Sequence, residues 1–161
     1  MKQLLLCSGP HDAPYGDSGW FRLDMDPETK PDLIAKIPPI PEEVRSMAPW
    51  EGIALIHGIE HFYFWEARQL IQELRPLLAA DGILILEQPD ISVCAAHMNI
   101  PAFRDGIYGD SAKPTAEYAH RYGYTPATLV NMVRDGGFSR IVYGMPLFHN
   151  VVRDFRLEAQ P

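Results

Sequence analysis

The run Leu4-Leu5-Leu6-Cys7, broken at once by Ser8-Gly9-Pro10, constrains the fold more than any other segment. A short continuous apolar stretch that ends on a small-residue turn is what a parallel sheet buries on both faces. A half-exposed strand would alternate instead, and a helix would carry a longer, striped pattern. Parallel strands need crossovers, and similar short runs recur along the chain between helical segments. Residues 20–23 close on Asp24 and Asp26, residues 32–35 stop at Pro38-Pro39-Ile40-Pro41, and residues 53–56 lead into His57-Gly58. The expectation is an α/β fold, doubly wound around a mostly parallel sheet.

The clearest helix begins at Phe64, where Phe64, Ala67, Leu70, Ile71, Leu74, Leu77 and Leu78 share one stripe. Pro76 inside that stripe predicts a kink or an early end. Asp81-Gly82 predicts a turn into a strand over residues 83–86. Pro41-Glu42-Glu43 opens a short helix, and Thr125-Pro126 supplies an N-cap and first-position proline ahead of Leu129, Val130 and Val133. Gly136-Gly137 ends that helix, and residues 138–143 and 151–157 predict a closing antiparallel pair. Residues 90–124 read as a long irregular connection, and connections of that length usually carry function.

With 161 residues, the chain fits one domain and leaves little room for a second. It contains no apolar run of membrane-spanning length, and its first residues read as a buried strand rather than a signal peptide. Cys7 and Cys94 are too few for a disulfide framework and lack metal-type spacing, which predicts reduced thiols and a cytoplasmic location. A net charge of −7 gives no sign of a nucleic-acid partner, which clustered Lys and Arg would announce. Nothing in the sequence fixes the oligomeric state.

Ligands of open α/β sheets bind beyond the carboxyl ends of the strands. That places Ser8-Gly9-Pro10, Asp24-Met25, Lys36-Ile37, His57-Gly58 and Pro89-Asp90 at the candidate site. The Ser8-Gly9 pair lets backbone approach a ligand, and Asp24 is placed to accept both hydroxyls of a ribose. A G-x-G-x-x-G loop is missing, so the ligand is nucleotide-like rather than a dinucleotide. His57-Gly58-Ile59-Glu60-His61 spells the inverted zinc-protease motif, which needs both histidines on a helix. A strand directly before His57 argues against that helix, and the sequence reading assigns no metal; His61 then has a packing or helix-start role.

In order and spacing, these segments resemble the class I S-adenosylmethionine-dependent methyltransferases, in particular the small methyltransferase-type-11-like branch. Leu4 to Pro10 is similar to that branch's first motif, Gly19 to Pro27 to its second strand, and Pro31 to Pro38 to its third. Ile59-Glu60-His61 resembles the "Leu-Glu-His" after strand four, and Arg75 to Gly82 the turn before strand five. Ile107 to Asp110, His120 to Thr125 and Gly136-Gly137-Phe138 resemble the C-terminal pattern. The resemblance runs nearly end to end and implies a Rossmann-like, seven-stranded sheet with an antiparallel last strand.

It also implies S-adenosylmethionine as cofactor and methyl transfer to an oxygen or nitrogen of a small-molecule or polymer acceptor. Backbone at Cys7, Ser8 and Gly9 would face the methionine part, Asp24 the ribose, and Met25 with Lys36 and Ile37 the adenine. His57 and Gly58 would run beneath the methionine part. The cofactor half would span residues 1–90, an acceptor and lid region 90–124, and a C-terminal helix and hairpin 125–161. Asp90 and His120 are the candidate catalytic residues, to orient or deprotonate the acceptor. "Pro-Asp" also begins turns, and His120 among Tyr118, Tyr122 and Tyr124 also suits a packed lid. The first motif has a single glycine and Lys36 stands where an acid is common. These departures and the small size motivate a second reading, a binding or assembly module on the same fold; a third is a protein that binds the cofactor but cleaves or senses it.

Overall fold

The first strand, β1 (Gln3–Leu6), pairs in parallel with β2 (Phe21–Asp24) on one side and β4 (Trp50–Ile56) on the other. Both edges of its backbone are thereby satisfied, which is why an uninterrupted apolar run suits it. The computed structural model describes residues 2–9, 19–96, 100–109, 116–148 and 152–161; Pro10 and Asp110 of the expected motifs lie outside them. β3 (Leu33–Ile34) extends the sheet beyond β2, and β5 (Leu78–Pro89) extends it beyond β4, all in parallel. β7 (Asp154–Gln160) lies antiparallel between β5 and β6 (Arg140–Gly144), giving the order β3-β2-β1-β4-β5-β7-β6. The expected seven-stranded sheet with its antiparallel last strand is present.

The turn expected at Asp81-Gly82 is instead a bulge within β5. Trp50 pairs with Leu78 and Gly52 with Ile83, so pairing to β4 resumes on both sides of the bulged segment. The connection over 90–124 is also more regular than expected. It holds α3 (Ile91–Ala96), α4 (Ile100–Tyr108) and a 3-10 turn at Ala116–Tyr118. α3 buries only Cys94, so its sequence offers no apolar stripe to read; packing against α4 supplies what local pattern does not.

α1 (Glu42–Ser46) starts after Pro41, as expected. α2 (Phe64–Leu74) ends where Arg75–Leu77 tightens into a 3-10 turn around Pro76. α5 (Pro126–Asp135) is capped by Thr125, whose side chain accepts from Thr128 N. Ala67, Leu70, Ile71 and Leu74 of α2 join Leu129, Val130 and Val133 of α5 over one face of the sheet. On the other face, Leu5, Trp20 and Ala54 form a smaller cluster among the described residues. Tyr63 and Trp65 are exposed and stacked on each other, whereas Trp50 is buried in the core.

Ion pairing closes the carboxyl edge between β4 and β7. His57, one residue past β4, has φ 49, and its Nε2 lies 2.9 Å from Asp154 Oδ2 at the start of β7. Arg153 Nε donates to Asp154 Oδ1 at 2.7 Å. Burial alone would lower the His57 pKa; the hydrogen bond to Asp154 and the charge of Glu60 outweigh it and raise the value above 6.5. Burial would raise Asp154, but hydrogen bonds from His57 and Arg153 bring it to about 2.

These packing and charge contacts give two expected outcomes. Leu70→Ala removes a fully buried side chain and should cost about 2–5 kcal/mol in urea unfolding, whereas Trp65→Ala on the surface should stay within about 0.5 kcal/mol. Equal losses from both would show that the α2 stripe does not carry the core. His57, raised in the fold, stabilises fully below its ordinary value of 6.5 and loses that contribution as pH rises through its raised value. Asp154, depressed to about 2, stabilises fully above its ordinary 3.8 and loses that contribution as pH falls through about 2. The urea midpoint should therefore be highest between roughly pH 4 and 6.5 and fall on the alkaline side, and Asp154→Asn should flatten that fall. A wild-type midpoint that is level from mildly acidic to alkaline pH would mean that the pair does not form in solution.

Candidate functional site

β1 is flanked by β2 and β4, so the strand order reverses on either side of it and its carboxyl end is the switch point of the sheet. A cavity of about 170 Å³ opens there, as expected for a ligand site at such a reversal. Cys7, Gly9, Asp24, Met25, Lys36, Ile37 and His57, all expected at the site, line it. Ser8 and Gly58 sit just behind this lining. Ser8 N donates to Leu23 O, and its buried Oγ has no hydrogen-bond partner. Gly58 lies so close beneath Cys7 that a Cβ there would come within 3.0 Å of the cysteine's Cβ.

Asp24 ends β2, and its carboxylate is oriented from both sides. Gly9 N donates to Oδ2 and Asp26 N to Oδ1, each at 2.9 Å. A carboxylate has about four lone-pair positions, so two donors leave room for two ligand hydroxyls. Gly9 adopts φ 60, a left-handed conformation that glycine takes without strain. Arg22, buried under this turn, donates to Gly9 O at 3.0 Å and to Thr29 O at 3.1 Å, fixing the tip of β1 to the segment after β2. The Cys7 thiol is driven strongly upward in pKa by burial and then by the charges of Asp24 and Glu60. Met25 and Lys36 are exposed over the cavity, and Ile37 is buried in its wall.

The mouth brings together residues from segments far apart in the chain. Asp26, Thr29, His61, Phe62, Glu66, Glu117, Tyr118 and Arg121 line it there, and Leu23 and Ala35 complete the wall. Tyr118 Oη donates to Asp26 Oδ2 at 2.8 Å, joining the 3-10 turn of the long connection to the tip of β2. That bond, ahead of burial, raises the Tyr118 pKa to about 12. The acid after Asp24 and the tyrosines around His120 were visible in the sequence; their pairing across the chain was not.

Asp90 and His120 lie outside the lining. Asp90 caps α3, its Oδ1 accepting from Ser92 N at 2.9 Å. His120 stands behind His61, with ring centroids 5.0 Å apart in an edge-to-face arrangement, and burial lowers its pKa. The H-x-x-E-H segment is not one helix: His57 has left-handed backbone and only Ile59–His61 forms a 3-10 turn.

No protein-family model and no curated protein matches the chain. Solved structures do. A SAM-dependent methyltransferase from Archaeoglobus fulgidus superposes with TM-score 0.67 at 12% identity, over 99% of this chain and 86% of that one. A glycopeptide N-methyltransferase complexed with S-adenosyl-L-homocysteine matches with TM-score 0.63 at 14% identity, covering 99% and 82%. The magnesium protoporphyrin IX methyltransferase of Synechocystis PCC 6803, with bound SAH, gives 0.59 at 15%, covering 99% and 74%. Several other matched methyltransferases are longer, and the chain spans only 32–50% of their length. At such identities the likeness is one of fold, and the fold is that of the class I S-adenosylmethionine-dependent methyltransferases.

Proposed function

We propose that the protein is an S-adenosylmethionine-dependent methyltransferase acting on an oxygen or nitrogen of a small-molecule or surface-exposed acceptor. The observation that carries this reading is Asp24, held by two main-chain N–H groups at the cavity wall with acceptor positions left for the ribose hydroxyls. Three further features fit the cofactor: the left-handed turn at Gly9, the unpartnered Ser8 Oγ behind it, and the apolar pair Met25 and Ile37 on the adenine side. Lys36 lies at that side's polar edge, and His57 and Gly58 support the methionine part from below.

S-adenosylmethionine, when bound, supplies a methyl group already activated by its sulfonium. What the chain contributes is alignment and exclusion of water. Residues 1–90 hold the cofactor, and residues 90–124 shape the acceptor pocket, with Tyr118 closing toward Asp26. Glu66, Glu117 and Arg121 at the mouth favour a polar acceptor. Free Cys7 and Cys94 suit a cytoplasmic protein, and among the described residues no helix is long and apolar enough to cross a membrane.

Calorimetric titration with S-adenosylhomocysteine should show binding to the wild type. Asp24→Asn keeps the side chain's shape but removes the charge that strengthens each hydrogen bond, and should weaken binding about tenfold or more. Equal affinity in the variant, with an unchanged circular dichroism spectrum, would remove Asp24 from the site. No heat at millimolar ligand would remove the cofactor.

A further inference from the structure

Glu60 is a buried acid that the proposed cofactor site leaves unexplained. Its side chain is 3% exposed, yet neither carboxylate oxygen has a hydrogen-bond partner; His57 Nδ1 lies 3.4 Å from Oε1. Buried polar groups without partners are uncommon in folded proteins and often mark the place of an ion or water. Besides His57, two further imidazoles, those of His61 and His120, face this carboxylate. One ligand atom from each of Glu60, His61 and His120 lies within 4.8 Å of the other two.

The histidines are already oriented for ligation. His61 Nδ1 lies 3.3 Å from Ala119 O, and His120 Nδ1 lies 3.1 Å from Gly106 O. A carbonyl only accepts, so each Nδ1 donates there, and Nε2 is the ring nitrogen left to meet an ion. Metal-binding histidines are held by this kind of contact from the opposite ring nitrogen. The backbone fixes the group as well: Arg121 N and Tyr122 N both donate to Glu60 O, at 2.8 and 3.3 Å, tying the turn after β4 to the segment that carries His120. The Tyr124 hydroxyl is buried close by, also without a partner, and feels the charge of Glu60.

We propose that Glu60, His61 and His120 bind a divalent first-row transition-metal ion. Two imidazoles and one carboxylate suit zinc, iron, cobalt or nickel rather than magnesium or calcium, which take oxygen ligands. Bonds of about 2.1 Å hold ligand atoms roughly 3–4 Å apart, so the three side chains need close only slightly on the ion. Three protein ligands leave coordination positions open, and His61, shared with the cavity lining, places them beside the cavity. This set is distinct from the inverted zinc-protease motif, since His57 is engaged with Asp154. The ion site stands independently of the cofactor reading; only the use of its open positions by an oxygen of the acceptor rests on it.

Co²⁺ is a direct probe, because its visible d–d absorption reports coordination without any enzymatic turnover. The full chain, stripped with chelator, should bind one equivalent of Co²⁺ and develop that absorption. Glu60→Gln, nearly isosteric, and His120→Ala should each weaken binding at least about tenfold, with circular dichroism unchanged. His57→Gln should still bind Co²⁺. Absence of d–d bands at millimolar Co²⁺ would overturn the proposal, as would undiminished affinity in Glu60→Gln and His120→Ala. Loss in His57→Gln as large as in His120→Ala would overturn the ligand set. S-adenosylhomocysteine titrated into the same metal-free samples separates the two readings: its binding without Co²⁺ bands defeats only the ion site, and Co²⁺ bands without its binding defeat only the cofactor.

Discussion

The reversal of strand order around β1 is the constraint from which the rest follows. Where the order of parallel strands reverses, right-handed crossovers on the two sides lie on opposite faces of the sheet, and a crevice is left at the carboxyl end of the strand at the reversal, here β1. Leu4, Leu5 and Leu6 accept complete burial in return for that position. The chain then leaves the strand through Cys7, Ser8 and Gly9, where Cys7 and Gly9 are left-handed and the Ser8 and Gly9 N–H groups donate to Leu23 O and the Asp24 carboxylate. The cavity, Asp24's orientation and the buried Arg22 all serve this one opening.

Charge is concentrated under the same edge, and most of it is paired. Asp154 sits between His57 and Arg153; Glu87, wholly buried in β5, accepts from Leu147 N and Phe148 N and faces Arg156. Such networks hold loops that have little apolar surface of their own. Against this background, Glu60 stands out because its carboxylate lacks hydrogen bonds while its own carbonyl receives two.

Much of the fold was legible because it is written locally. Each apolar run found its strand within a few residues, the Phe64 stripe became α2, and Thr125-Pro126 capped α5. Misreadings came where tertiary contacts overrule local pattern: the bulge at Asp81-Gly82 exists because β4 pairs on both sides of it, and α3 is held by α4. At the site, the strand-end residues were legible from topology alone. Tyr118 reaching Asp26, and His120 meeting Glu60 and His61, join segments far apart in the chain, and no spacing rule connects them.

Cys7 illustrates what burial beneath an acidic rim does to chemistry. The thiolate, not the thiol, attacks oxidants and electrophiles, and here desolvation together with Asp24 and Glu60 suppresses it. A sulfur in the wall of a ligand cavity would ordinarily be a redox liability. In this setting the thiol is held protonated and serves as a small apolar surface in the cavity wall, a poorer nucleophile than an exposed cysteine.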